Sequence, residues 1–213
     1  MTQFQTLTLP AHRVILSGQV SNAATLAPIA RARVDLIEVS EAFTRWLAAR
    51  ALKYGDKWDA LEERPDRART AADGTFFFLD LPPGDYTLQA SLASAGQRLG
   101  AYTLQATVPE RSAQTAPVSV DLLLPPTALS GSVRLGGPDG IETPIPLAKI
   151  RLDGSGEQVF SDADGNFLLH SIEPGDRVVR ISAQGYEGFS QTLSLAAAQT
   201  QTLDVLLTAH HST

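Results

Sequence analysis

The sequence predicts an all-β protein built from two tandem antiparallel β-sandwiches, and three observations support this class. Apolar and polar residues alternate in short segments, Asp-Gly and Pro-Gly pairs separate those segments, and the same order of segments occurs twice in 213 residues. A period of two is typical of strands with one buried face, and closely spaced turn signals are typical of antiparallel sandwiches. We expect about seven strands in each copy.

The internal repeat sets the expected domain boundaries. The paired segments are LSGQV at Leu16–Val20 with LSGSV at Leu129–Val133, Ala27–Leu36 with Thr143–Leu152, and Ala72–Leu88 with Ala163–Val179. We therefore predict a first sandwich at residues 1–124, a proline linker at 125–127 and a second sandwich at 128–213. Within Ala72–Leu88 and its partner, the Asp-Gly pairs predict tight hairpins, and the alternate phenylalanines are expected to fill the core.

The motifs of the first copy resemble those of a known family. L-x-G-x-V, then P-x-x-x-A-x-V-x-L, then D-G-x-F-x-F-x-x-L-P-P-G-x-Y-x-L are similar to the carboxypeptidase regulatory-like domain. This resemblance covers nearly all of both copies. It implies a transthyretin-like, Ig-like sandwich and a non-catalytic accessory, adhesive or scaffold role without a shared active site. The second copy departs from the motif, with Glu173 in place of Pro82 and Arg177 in place of Tyr86, so we expect a looser turn there.

An insertion breaks the symmetry of the repeat. Leu36 and Asp73 are 37 positions apart, whereas the equivalent Leu152 and Asp164 are 12 apart, so the first copy carries about 25 extra residues. Apolar residues at helical spacing predict an amphipathic helix over about 40–67, with Ser40 as N-cap, Pro65 as stop and a division at Gly55.

The insertion contains both tryptophans of the chain and supplies the candidate site. Trp, Tyr and Arg dominate protein interfaces, and the residues of this kind in the predicted helix are candidates for partner binding. The candidates are Phe43, Trp46, Arg50, Tyr54 and Trp58. The other interpretation is that the helix packs on its own domain, because the outer-face residues beside the core positions are Phe77 and Leu79 in the first copy but Leu168 and His170 in the second.

The sequence lacks the motifs of most catalytic and metal sites. There is no cysteine, and the four histidines lack metal-ligand spacing. The segment from Asp162 resembles a calcium loop, but Phe167 stands where such a loop needs glycine. We expect no catalytic residue, no metal and no cofactor.

Charge and hydropathy exclude further classes of partner. The net charge is −6, and no Lys/Arg patch interleaved with aromatic residues is found in the sequence, so nucleic acid is not expected as a partner. No apolar run reaches the length of a membrane span, and the N-terminus lacks a signal-peptide pattern. We expect a cytoplasmic protein.

The functional hypothesis is a non-enzymatic structural or adaptor protein that binds other protein subunits of a large bacterial assembly. A phage-tail-like contractile injection particle is one such assembly. The alternative is an accessory module that binds carbohydrate or another small ligand, with Trp46 and Trp58 as stacking platforms.

Overall fold

The computed structural model describes residues 12–61, 64–110, 116–136 and 142–210. In these ranges the regular structure is β apart from one α-helix and two short 3₁₀ segments, which confirms the predicted all-β class. The chain divides into two units. The first holds the described parts of 12–21, 27–90 and 102–123, and the second holds 22–26, 91–101 and the described part of 124–210.

The described part of the first unit contains seven strands and helix α1, Glu41–Tyr54. The strands are β1 Val14–Asn22, β2 Arg33–Glu38, β3 Arg67–Arg69, β4 Thr75–Leu79, β5 Gly84–Ser91, β6 Tyr102–Val108 and β7 Val118–Leu124. One sheet has the strand order β4–β1–β7 and the other β3–β2–β5–β6. Helix α1 follows β2, so the insertion lies between two strands of the same sheet.

The second unit has two sheets with strands in the corresponding order. Its strands are β8 Ala128–Gly136, β9 Glu142–Pro144, β10 Lys149–Leu152, β11 Gln158–Phe160, β12 Asn166–His170, β13 Gly175–Ser182, β14 Phe189–Leu195, β15 Thr200–Thr202 and β16 Val205–Leu207. One sheet is β12–β8–β15, with β9 and β16 also on β8, and the other is β11–β10–β13–β14. Because β15 and β16 both run parallel to β8, they act as one interrupted final strand.

Strand alternation places the cores as the sequence predicts. In β4, Phe76 and Phe78 are buried with their rings edge to face at 6.1 Å, whereas Phe77 and Leu79 point outward. In β12, Phe167 and Leu169 are likewise buried between outward-facing neighbours.

The glycines of the two L-S-G segments allow another strand to approach closely. A Cβ atom on Gly18 would lie 1.7 Å from the carbonyl oxygen of Val120, and one on Gly131 would lie 1.8 Å from that of Leu203. No side chain fits at such distances, so the glycine in each segment is required by packing.

The Asp-Gly turns differ from the predicted hairpins. Gly74 and Gly165 have φ values of 78° and 77°, but each turn joins strands of different sheets, so the hairpin prediction is wrong. In the first turn the Asp73 carboxylate accepts hydrogen bonds from both the hydroxyl and the N–H of Thr75. The hydroxyl bond is the main reason that the pKa of Asp73 is lowered. A local Asx-type turn therefore explains the motif.

A buried hydroxyl supports the equivalent loop in each unit, and sequence reasoning did not find it. Thr70 donates a hydrogen bond to the carbonyl of Ile29 (2.6 Å) and accepts one from the N–H of Ala32 (2.8 Å). Ser161 makes the same two bonds with Ile145 (2.7 Å) and Ala148 (2.9 Å). The structural correspondence of the units thus extends to buried polar groups.

In each unit a side chain donates hydrogen bonds to backbone carbonyls of the Pro-Gly turn, but the donor residue differs. The Tyr86 hydroxyl donates to the carbonyl of Pro82 at 2.7 Å. In the second unit Arg177 donates to the carbonyls of Glu173 (3.3 Å) and Pro174 (3.0 Å). Because Glu173 occupies the position of Pro82, the arginine replaces the tyrosine at the same carbonyl, and the expected looser turn is not seen.

The predicted linker residues 125–127 lie between β7 and β8 and belong to the second unit. Thr127 is fully buried there. Its hydroxyl donates to the carbonyl of Gln97 at 2.8 Å and accepts from the N–H of Ala198 at 2.8 Å.

Candidate partner-binding groove

Helix α1 is fixed to the first unit through its N-terminal turn. The Ser40 hydroxyl accepts a hydrogen bond from the N–H of Phe43 at 3.3 Å, so Ser40 is the N-cap as predicted. The Phe43 ring is buried and contacts the Tyr86 ring edge to face at 6.0 Å. The first turn of the helix is therefore part of the core of its own unit.

The helix is shorter than the predicted insertion helix. It ends at Tyr54, because Gly55 adopts a φ of 56°, and a 3₁₀ turn follows at Gly55–Lys57. The described residues after this turn contain no second α-helix, and a bridge between Arg64 and Arg67 leads into β3. The α-helix thus has 14 residues, Glu41–Tyr54, and covers about half of the predicted segment 40–67.

Beyond the first turn of helix α1, each tryptophan contacts another aromatic ring and has an arginine guanidinium over its own ring. Trp46 stacks on Phe43 at 5.4 Å between ring centroids, and the guanidinium carbon of Arg50 lies 4.6 Å from the Trp46 ring centroid. Trp58 contacts Tyr54 at 5.8 Å, and the guanidinium carbon of Arg64 lies 4.9 Å from its ring. Cation–π contacts of this kind hold long side chains in place at a surface.

Ion pairs between β2 and the end of the insertion hold the insertion in place. Arg67 donates to the Asp35 carboxylate at 2.8 Å and to the carbonyl of Leu61 at 3.2 Å. Arg64 donates twice to Asp66, at 3.0 and 2.9 Å, as a bidentate pair. The side chains of all four charged residues are at least four fifths buried, and Arg33 and Asp59 make further ion pairs with Asp35 (2.6 Å) and Arg64 (3.3 Å).

The helix, the end of the insertion and strands β3 and β4 enclose a groove with a volume of about 410 Å³, which we call the insertion groove. On the β4 side, Phe77 and Leu79 keep 59% and 40% of their surface exposed. At its edge the His12 ring is 2.5 Å from the Asp80 carboxylate. The lining residues used below are Trp46, Arg50, Tyr54, Trp58, Phe77 and Leu79.

The structure brings four of the five candidate residues to this groove. Trp46, Arg50, Tyr54 and Trp58 all line it, whereas Phe43 is buried beneath the helix and does not. Sequence reasoning missed Arg64, Arg67 and Arg69, which also line the groove. Arg67 and Arg69 are placed by the pairing of β3 with β2, which is distant in sequence, whereas Arg64 pairs with Asp66 only two positions away.

The described residues contain no group of three or more His, Cys, Asp and Glu side chains placed to hold a metal ion. In the calcium-like segment, the Asp162 carboxylate accepts hydrogen bonds from the N–H groups of Asp164 (3.0 Å) and Asn166 (2.8 Å), as in a structural turn. Among the described helices, none is long and apolar enough to cross a membrane.

The fold and groove define a β-sandwich protein with a surface groove built on an insertion. Residues 128–208 match the family model of the carboxypeptidase regulatory-like domain. The resemblance seen in the sequence is confirmed for this part of the chain, and the resemblance of the first copy stays a prediction. A search of the curated proteins found no match.

Solved structures similar to the chain include two pilins and the TIE protein. The minor pilin GBS52 of Streptococcus agalactiae is 13% identical, with 93% of this chain and 98% of that chain covered and a TM-score of 0.35. The shaft pilin SpaA of Lactobacillus rhamnosus GG is 12% identical, with 95% and 100% covered and a TM-score of 0.42. The TIE protein of Bacillus anthracis is 12% identical, with 92% and 34% covered and a TM-score of 0.34. At such values the likeness carries no argument about function.

Proposed function

We propose that this chain is a non-enzymatic structural protein that holds a partner protein in the insertion groove. The observation that carries the proposal is the exposed aromatic wall of the groove. Trp46, Tyr54 and Phe77 keep 44%, 46% and 59% of their surface accessible. Large aromatic side chains held together at a surface are typical of protein interfaces, where they supply most of the binding energy.

The groove also indicates the chemistry of its occupant. Phe77 and Leu79 offer an apolar surface, and Arg50 lies at the groove over Trp46. Among the residues that the structure describes, no carboxylate is paired with Arg50. We therefore expect a segment of a partner protein that places an aromatic or aliphatic side chain on Phe77 and an acidic side chain next to Arg50.

Two contacts favour a protein over the alternative carbohydrate ligand. A tryptophan that binds a sugar needs one free ring face, but Phe43 and Arg50 both lie close to the ring of Trp46. Trp58 is similarly occupied by Tyr54 and Arg64. These neighbours reduce the ring surface that is left for a sugar to stack on.

The buried arginines of the groove support a structural role for its charged wall. Arg64 and Arg67 are engaged by Asp66 and Asp35, so these charges hold the insertion in place.

The wider setting of this binding role is a separate hypothesis. We propose that the chain acts in the cytoplasm as an adaptor between subunits of a large assembly. The narrower hypothesis of a contractile injection particle has no support from the comparisons and rests on analogy of fold. Sedimentation of the native protein tests it, because co-sedimentation with sheath or tube subunits is required.

The groove itself is tested by quantitative capture from a lysate of the source cells on the purified full-length chain. The groove variants are Phe77→Ser and Arg50→Glu. Their matched controls are Leu168→Ser, at the equivalent outward position of β12, and Arg45→Glu, on the same helix. We expect mass spectrometry to find a protein retained by the wild type and both controls and reduced at least about tenfold by each groove variant.

Retention that is equal for all four variants would contradict the proposal, as would a loss seen equally with the controls. Circular dichroism of each variant checks that the fold is kept. A saturable change in tryptophan fluorescence on addition of an oligosaccharide, abolished by Trp58→Ala, would favour the carbohydrate alternative instead.

A further inference from the structure

The sheet β11–β10–β13–β14 of the second unit gathers three cations on its outer side. Residues opposite one another in antiparallel strands share a face, and Arg151 lies opposite Arg180, whereas Lys149 lies opposite Ser182. Inward-pointing Ile150 and Ile181 are buried, which places the three cations outward. We call Lys149, Arg151 and Arg180 the basic face. It borders a cavity of about 430 Å³ that Ser182 and Ser190 also line.

This arrangement is unusual because its surroundings are acidic. Residues 124–213 contain five Lys and Arg against ten Asp and Glu. Three of those five cations stand on the basic face. Two like charges directly opposite each other destabilise a sheet unless something compensates them.

Asp153 provides part of that compensation and shows what the face can bind. One of its carboxylate oxygens lies 3.1 Å from an N–H nitrogen of Arg151, and the other lies 2.6 Å from Nε of Arg180. The hydrogen bond from Arg180 is the main reason that the pKa of Asp153 is lowered. The two arginines therefore already stabilise one carboxylate of the chain itself.

Donors remain on the face after this bond is made. A guanidinium has five N–H groups, and the contacts to Asp153 use one from each arginine. The side chains of Arg151 and Arg180 are 49% and 57% exposed. Lys149 has no carboxylate partner among the described residues, so two of the three positive charges stay uncompensated.

We propose that the basic face binds a carboxylate-rich, extended segment of a partner protein. Lys149 and Arg151 are two residues apart on one strand, a separation of about 7 Å. Carboxylates at alternate positions of an extended segment have the same spacing. Phe160, which is 52% exposed and lies opposite Lys149, gives such a segment an apolar contact beside the charges. This site does not depend on the insertion groove.

The acidic remainder of the chain favours a short segment over a polyanion. A nucleic acid or an anionic polysaccharide interacts with the field of the whole protein, whose net charge of −6 repels it. A few carboxylates in direct contact interact mainly with the face itself, because charges farther away than about 8 Å are screened at physiological salt.

The test uses a fluorescein-labelled octapeptide of alternating Glu and Thr, with a matched peptide of alternating Gln and Thr. Fluorescence anisotropy measures the binding of each to the full-length chain. We expect the Glu peptide to bind and the Gln peptide not to bind. The double variant Lys149→Gln/Arg180→Gln is expected to weaken binding at least about tenfold, whereas Arg45→Gln/Arg134→Gln, which removes the same charge elsewhere, is expected to leave it unchanged.

A gain of binding gives the sharpest test, because damage to the fold does not produce it. Asp153→Asn removes the carboxylate that competes for the two arginines, and we expect it to strengthen binding of the Glu peptide at least about threefold. The proposal is overturned if both peptides bind equally, if the control double variant loses binding to the same extent, or if Asp153→Asn brings no gain. It is also overturned if heparin binds more tightly than the Glu peptide, or if self-association of the chain occupies the face.

Discussion

In the first unit the chain leaves β2 at Glu38 and reaches β3 at Arg67 through helix α1, whereas in the second unit it passes from β10 at Leu152 to β11 at Gln158 in a short turn. The strand orders around these connections correspond. The same framework thus carries a groove in one unit and an open sheet face in the other. What each unit offers to a partner is decided by this one connection and by the side chains beside it.

The side chain that hydrogen-bonds the Pro-Gly turn differs between the two units, and the difference follows the presence of the helix. Tyr86 is 1% exposed beneath Phe43 of the helix. Its counterpart Arg177, in the unit without an insertion, is only half-buried, and it satisfies the turn with its guanidinium. The residue at this turn is therefore aromatic in the unit where a helix covers it, and cationic in the unit where no helix does.

The largest expected effect concerns the glycine of the L-S-G segment, which both units share. We predict that Gly18→Ala and Gly131→Ala each destabilise the protein by more than about 4 kcal/mol or prevent folding, because the new methyl group would overlap a backbone carbonyl oxygen. Differential scanning calorimetry of each variant measures the loss.

Gly188→Ala is the matched control. Its added methyl group would meet nothing nearer than the carbonyl oxygen of Ile181 at 3.9 Å, and we expect a change within about 0.5 kcal/mol. Near-native stability of Gly18→Ala or Gly131→Ala would show that the strand approach at that segment is not required.

The next prediction tests whether the insertion is part of the first unit's core. Phe43→Ala is expected to reduce the free energy of unfolding by about 3 kcal/mol, because a buried aromatic ring that packs on Tyr86 is lost. Urea unfolding followed by tryptophan fluorescence suits this test, since both tryptophans lie in the insertion.

Leu52→Ala on the same helix is the control. Leu52 is 86% exposed, and its loss is expected to change stability by less than about 0.5 kcal/mol. If Phe43→Ala is equally mild, the helix is only loosely attached to the unit and the comparison between the two connections loses its basis.

The sequence predicts the framework well because its signals are local. The repeat, the alternation in β4 and β12, the Ser40 cap and the four groove residues of the insertion follow from spacing along the chain. The hairpin prediction for the Asp-Gly turns was wrong because glycine at positive φ specifies a turn but not the sheet of the next strand. Sheet membership depends on long-range pairing.

Apart from Arg50, the charged parts of both candidate surfaces lay outside what the sequence predicts. Arg67 meets Asp35 across 32 positions, and Arg151 meets Arg180 across 29. No basic patch was found in the sequence because its members are divided between strands β10 and β13, with buried residues between them. Strand pairing assembles them, and pairing is a property of the fold.

The smallest effect concerns the Pro-Gly turn itself. We predict that Tyr86→Phe costs about 1 kcal/mol, because the carbonyl of Pro82 loses a hydrogen bond from a side chain that is only 1% exposed. Arg177→Met is expected to cost about half as much, since water can reach the carbonyls of Glu173 and Pro174 once the guanidinium is gone. Equal losses at the two positions would mean that helix cover does not matter. The exchange Arg177→Tyr sharpens the point: without a counterpart of Phe43 above it, the tyrosine ring stays exposed, and we expect no gain in the free energy of unfolding.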